Sequence, residues 1–183
     1  MSKHLKKIRE AAKYQDGIFA RFQVDVPDDA LHYHTQNESL ERLQTGIYRL
    51  TDRPLSDHEE YIVAHLWSRE EGVLSHETAL NIHNLSDVLP KQIHLTVPEH
   101  WRDKRREIPD RYRLHYADLP DEDIEWFESL RITSVERTLK AVADAGMDPD
   151  LVEQALDQAV DRGIVPSNME RRLLRYLISS NAR

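Results

Sequence analysis

The apolar positions of this chain change period several times, and each change marks an element. Ala79, Leu80 and His83 recur at helical spacing after Ser75. Ser75 stands where a helix N-cap belongs, with a hydroxyl able to accept an orphaned backbone N–H. Glu77 falls in the first turn, where the helix dipole favours an anion. A strict alternation follows, with Ile93, Leu95 and Val97 on one side and Gln92, His94 and Thr96 on the other. That predicts a half-buried strand, ended by Pro98, which has no N–H to give a ladder. Tyr112, Leu114 and Tyr116 alternate with Arg113 and His115 in the same way, a second strand.

Upstream, Leu5, Ile8 and Ala12 give one apolar side to a helix over residues 2–15, and Asp16-Gly17 turns the chain. Pro27, Asp28 and Asp29 suit the first turn of a helix reaching Asn37. Leu43, Ile47 and Tyr48 flank a tight turn at Gly46, a hairpin signal. Ser56 and Glu59 have the spacing of a capping box ahead of a stripe of Tyr61, Ile62, His65 and Leu66. Residues 124–132 read as strand broken at Glu128-Ser129. Three helices close the chain. The first has a Thr133/Glu136 capping box and turns Val135, Leu139 and Val142 inward. The second opens at Pro149 and the third at Ser167. The expected fold class is α+β, and Asp52–Pro54 interrupts both patterns, which divides the chain into domains 1–54 and 55–183.

Composition adds limits. A length of 183 residues suits one domain or two small ones. No apolar run approaches the roughly 20 residues of a membrane span. The start, Ser2-Lys3-His4-Leu5-Lys6-Lys7, lacks the apolar core of a signal peptide. With no cysteine the chain has neither disulfides nor thiolate chemistry, and a cytoplasmic location is expected. The net charge of -8 is carried by the chain beyond residue 55, since the first 55 residues are close to neutral. An acidic chain is a poor non-specific partner for nucleic acid, but a near-neutral N-terminal portion leaves room for a local basic face.

Four motifs together resemble the AbiEi family, the antitoxins of type IV toxin–antitoxin systems of abortive infection and phage defence. They are Ser75-His76-x-x-Ala79-Leu80-x-x-His83, His94-x-Thr96-Val97-Pro98, Leu114-His115, and Thr133-x-x-Glu136-Arg137-Thr138-Leu139. The similarity covers roughly residues 46–163. It implies a winged helix-turn-helix at the N-terminus followed by a mixed α/β antitoxin-type domain that ends in three helices. It also implies an antitoxin that regulates transcription of its own operon. The implied partners are operator DNA and a nucleotidyltransferase-like toxin, with direct contact to the toxin not assumed. Neither catalysis nor a cofactor is implied. The alternative is a protein-interaction module of the same fold that has lost DNA binding.

The family pattern is present at Gly17-Ile18-Phe19 and at Gly46-Ile47-Tyr48-Arg49-Leu50, but the recognition helix between them is degenerate: it opens on Asp28-Asp29, which would meet a polyanion. The affinity is therefore expected from Lys3, Lys6 and Lys7 of the first helix, from Arg21, and from Arg42 and Arg49 about the wing. What base selectivity there is falls to His32, Tyr33, Gln36 and Asn37. Arg102, Lys104, Arg105 and Arg106 form a candidate second basic patch, with Trp101 and Tyr112 as stacking surfaces. Its bland counterpart is a solvated linker.

Histidine spacing offers no metal. His32 and His34 face opposite ways on a helix. His58/His65 and His76/His83 are seven apart, about 10 Å along a helix axis, too far to share an ion through bonds of about 2 Å. Phosphate-binding loops and nucleophile elbows are also missing, and Ser75-His76 as adjacent helical residues diverge by about 100°.

Overall fold

The computed structural model describes residues 3–87 and 89–180. Within them the chain forms seven α-helices, one three-stranded sheet and one five-stranded sheet, a mixed α/β structure. Two compact units result: the chain up to Glu70 together with Glu128–Leu130, and Glu71–Phe127 together with the chain from Arg131. The division thus falls at 70/71 rather than at 54/55.

The first unit runs α1 (Lys3–Ala11), β1 (Ile18–Ala20), a 3₁₀ turn at Arg21–Gln23, α2 (Asp28–Gln36), β2 (Leu40–Gln44), β3 (Ile47–Leu50) and α3 (Glu59–Trp67). Its antiparallel sheet has the order β1-β3-β2, with the β2–β3 turn made by Gly46 at φ 75°. Ser2, where the sequence began the first helix, lies outside the described residues. Ile8, Phe19, Val24, Leu31, Leu40 and Leu50 form one apolar cluster, and the Phe19 and Tyr48 rings stack with centroids 5.6 Å apart.

Helix α3 packs against β1 and β3, which is why the boundary moves past it. It is buried at every position from Tyr61 to Trp67, so the expected stripe is a helix enclosed on all sides beyond Glu59 and Glu60. The capping box before it does not form. Ser56 Oγ accepts from His58 N–H and donates to Asp16, and the Glu59 carboxylate is taken by Arg49.

The second unit contains β4 (Val73–Leu74), α4 (His76–Ile82), β5 (Ile93–Val97), β6 (Tyr112–Tyr116), β7 (Ile124–Phe127), β8 (Leu130–Thr133), α5 (Val135–Asp144), α6 (Pro149–Asp161) and α7 (Ser167–Ser180). The sheet order is β6-β5-β4-β8-β7. Strand β5 runs parallel to β6 and antiparallel to β4. All five β5 residues are buried, not the alternate ones, because the strand lies inside the sheet with α4 packed on it. Leu80, Leu139, Val142, Leu156 and Leu173 bind α4 to the three C-terminal helices through one core. At the start of α5 the cap is Ser134, which accepts from Arg137 N–H at 3.3 Å. Thr133 instead pairs its hydroxyl with Thr138 at 2.7 Å, and Glu136 binds Lys140 and Arg172, so the expected Thr133/Glu136 box is replaced. No helix among the described residues is long and apolar enough to cross a membrane.

Candidate functional site

In the first unit α2 buries Leu31 and His34 and turns Asp28, Asp29, His32, Tyr33, Gln36 and Asn37 outward. The four residues expected to read bases therefore share the exposed side of one helix, with Tyr33 60% exposed. Asn37 spends its amide on the Tyr33 carbonyl at 2.8 Å. The opposite faces of His32 and His34 follow from helical geometry.

The cations are less free than the sequence suggested. Arg21 bonds Asp28 at 2.6 Å and the Val24 carbonyl at 2.9 Å. Lys7 pairs with Asp25 at 2.7 Å. Arg49 stands directly across β2–β3 from Glu41 and binds both Glu41 and Glu59, with its side chain only 13% exposed. Arg49 is thus withdrawn from the surface as a strut between β3 and its neighbours, a correction to its expected place on a wing. Lys3, Lys6 and Arg42 are exposed, Arg42 at the bulged end of β2 beside the hairpin turn.

The basic segment after β5 is also largely neutralised. Arg102 bonds Glu99 at 2.5 Å and lies 4.6 Å over the Tyr116 ring. Lys104 reaches Glu71 at 3.5 Å. Lys104 and Arg106 flank the Trp101 ring at 4.5 and 5.0 Å, while Arg105 is exposed. Trp101 and Tyr112 are each only 3% exposed, and the indole donates to Glu71 at 2.9 Å. Neither ring is a platform for a base, because both are used to anchor the segment onto the unit.

A constellation that helical spacing could not reveal lies in the second unit. His76 opens α4, His94 lies near the start of β5, and His115 lies near the end of β6; one ligand nitrogen from each falls within 4.8 Å of the others. His115 Nε2 is 3.1 Å from His94 Nδ1. The His76 and His115 rings stack with centroids 3.4 Å apart. In the β5–β6 register His94 faces Arg113 and Thr96 faces His115, so these four share one face of the sheet. His94 is buried and the other two are half-buried. Burial, first of all, holds all three below the usual histidine range, His76 to about 3 and the others to about 4. Arg113 adds to this at all three, neighbouring imidazoles at His76 and His115, and Arg137 at His76. All three are therefore neutral at pH 7.

Ser75 belongs to the same cluster. It occupies the N-cap position of α4 but its side chain makes no capping bond. Its Oγ accepts from the Thr96 hydroxyl at 2.8 Å and lies 2.9 Å from His76 Nδ1. The backbone at His76 is left-handed, φ 51°, which carries the ring towards the strands and separates it from the ordinary helical course. His83, seven residues on and set aside as a co-ligand by its spacing, bonds the Thr133 carbonyl at 2.8 Å.

No family model matches the chain, and neither does any curated protein. Among solved structures it is similar to the crystal structure of RV2827C protein from Mycobacterium tuberculosis, at 12% identity and a TM-score of 0.48. That likeness covers 98% of this chain and 78% of the other.

Proposed function

We propose that this protein is a type IV antitoxin and an autoregulator of its own operon, binding operator DNA through a winged helix formed by its first unit. The antitoxin part rests on the four sequence motifs between Ser75 and Leu139. The support for DNA binding is one observation. The first unit follows α1, β1, turn, α2, β2, β3 with sheet order β1-β3-β2, and leaves His32, Tyr33 and Gln36 together on the free side of α2. In this reading a 3₁₀ turn at Arg21–Gln23 stands where the first helix of the motif belongs, and Gly46 tips the wing. The protein acts without catalysis of its own, in the cytoplasm. Its functional counterpart is a nucleotidyltransferase-like toxin that it need not touch.

Salt dependence of binding to its own promoter tests the reading. Each phosphate contact removed flattens the log–log slope by about 0.9. Arg42→Ala and Lys6→Ala are expected to flatten it, and Gln36→Ala to cost about 1–3 kcal/mol of discrimination with the slope kept. Equal affinity for the promoter and a random duplex at low salt would sink the regulator. The ion pairs at Arg21, Lys7 and Arg49 favour a second reading in that event, a protein-interaction module of the same fold.

A further inference from the structure

We propose that His76, His94 and His115 form a three-histidine site for a divalent transition ion of the zinc class. Three elements far apart in sequence deliver the ligands: the start of α4 and the parallel strands β5 and β6. Zinc–imidazole bonds of about 2.0–2.1 Å in a tetrahedron place ligand nitrogens about 3.4 Å apart. His94 Nδ1 and His115 Nε2 already stand 3.1 Å apart, and the third nitrogen lies within 4.8 Å of both. The sheet register fixes two of the rings, and the left-handed backbone at His76 brings in the third.

The chemistry of the set chooses the ion. Three imidazoles with no carboxylate suit zinc, cobalt, nickel or copper and not calcium or magnesium, which need oxygen. A histidine ligates through an unprotonated ring nitrogen, and each of the three offers one within 4.8 Å of the others. Ser75 holds His76 Nδ1 at 2.9 Å, an orienting contact of the kind metal-binding imidazoles have on their second nitrogen. Arg113 and Arg137 raise the potential around the cluster. A dication held by neutral ligands there takes an anion, such as hydroxide, as its fourth partner.

The experiment is a titration of the untagged full-length protein with cobalt(II) chloride at pH 7.5, followed by visible absorption. One equivalent is expected to produce the intense bands of a four-coordinate cobalt site, and zinc chloride to abolish them stoichiometrically. His94→Ala and His115→Ala should each weaken binding about 100-fold or more, since even outer partners of a ligand cost about 10–100-fold. His100→Ala, at a histidine outside the cluster, should leave it unchanged. If the alanine variants do not fold, two-dimensional NMR of the wild-type imidazoles decides, with three histidines expected to shift together on zinc addition. An absence of saturable binding, binding that survives both ligand variants, or NMR shifts spread over other histidines overturns the site. None of these outcomes depends on DNA binding.

Discussion

His115 Nε2 and His94 Nδ1 lie 3.1 Å apart, so one imidazole donates to a nitrogen that must be unprotonated in the other. With His76 stacked on His115, and Arg113 and Arg137 the charged groups acting on the cluster, protonating any of the three adds charge to a crowded, cationic place. The folded pKa values, about 3 and about 4, lie below the unfolded value of 6.5.

The unfolded chain therefore binds protons that the folded one refuses. Stability contributed by the cluster is whole above pH 6.5 and falls as pH drops towards 4, by at most about 1.4 kcal/mol per pH unit for each histidine. Carboxylates held low by partners, such as Glu71 and Glu99, act in a lower window, below about 4.5. Urea unfolding in metal-free buffer between pH 7 and 5 is expected to show the loss. His76→Gln should make it shallower, and a flat profile for the wild type would contradict the burial argument.

Arg49→Ala should act on stability and not on DNA. The guanidinium joins Glu41 on β2 and Glu59 at the start of α3, and its loss leaves two carboxylates facing a gap. Because Glu41 is half exposed, the expected cost is about 1–2 kcal/mol, below that of a fully buried pair. Arg49→Lys should recover only part of it, since an ammonium cannot span both partners as a planar fork does. Urea midpoints measure the cost. A flatter salt slope for DNA binding with unchanged stability would put Arg49 back on the surface.

Local signals were the legible ones. Period changes located the hairpin at Gly46, strands β5 and β6, and the three closing helices, because burial imposes those periods on the sequence. The polar sides of β5 and β6 were also readable, with His94 and His115 each placed on one. Their meeting was not. It depends on parallel pairing across a connection of no regular pattern, and on a left-handed residue at His76 that an ordinary helix would have turned away. The hydroxyl and carboxylate roles failed for a related reason. Ser75, Ser56 and Glu59 all had suitable local caps to make and were taken by partners ten or more residues away, while Thr133 turned to the Thr138 hydroxyl one turn into the helix.

Gly17→Ala should be costly. Its φ is +84°, and an added Cβ would sit 2.7 Å from Arg53 Cγ and 2.9 Å from Arg53 Cβ. The left-handed backbone alone costs about 1–2 kcal/mol, and displacing Arg53 adds to it. Gly163→Ala is the control, with φ +68° and no atom within 4 Å of the new Cβ. A loss at position 17 no greater than at position 163, measured by thermal unfolding, would show that Arg53 yields freely.

Ser75→Ala distinguishes a capping serine from a buried hydroxyl link. Losing a cap costs about 1 kcal/mol and is indifferent to Thr96. Here the Ser75 hydroxyl is fully buried, accepts from Thr96 and meets His76. Its removal leaves the Thr96 hydroxyl, itself only 4% exposed, without that acceptor. The expected cost is about 1–3 kcal/mol, the penalty of an unsatisfied buried group. Thr96→Val keeps the shape of the side chain and removes the orphaned donor. The double variant Ser75→Ala/Thr96→Val should therefore be less destabilised than the sum of the single ones, by at least about 0.5 kcal/mol. Urea unfolding of the four proteins at pH 7.5 closes the cycle. Strict additivity would mean that the two hydroxyls do not depend on each other and that Ser75 serves the helix end after all.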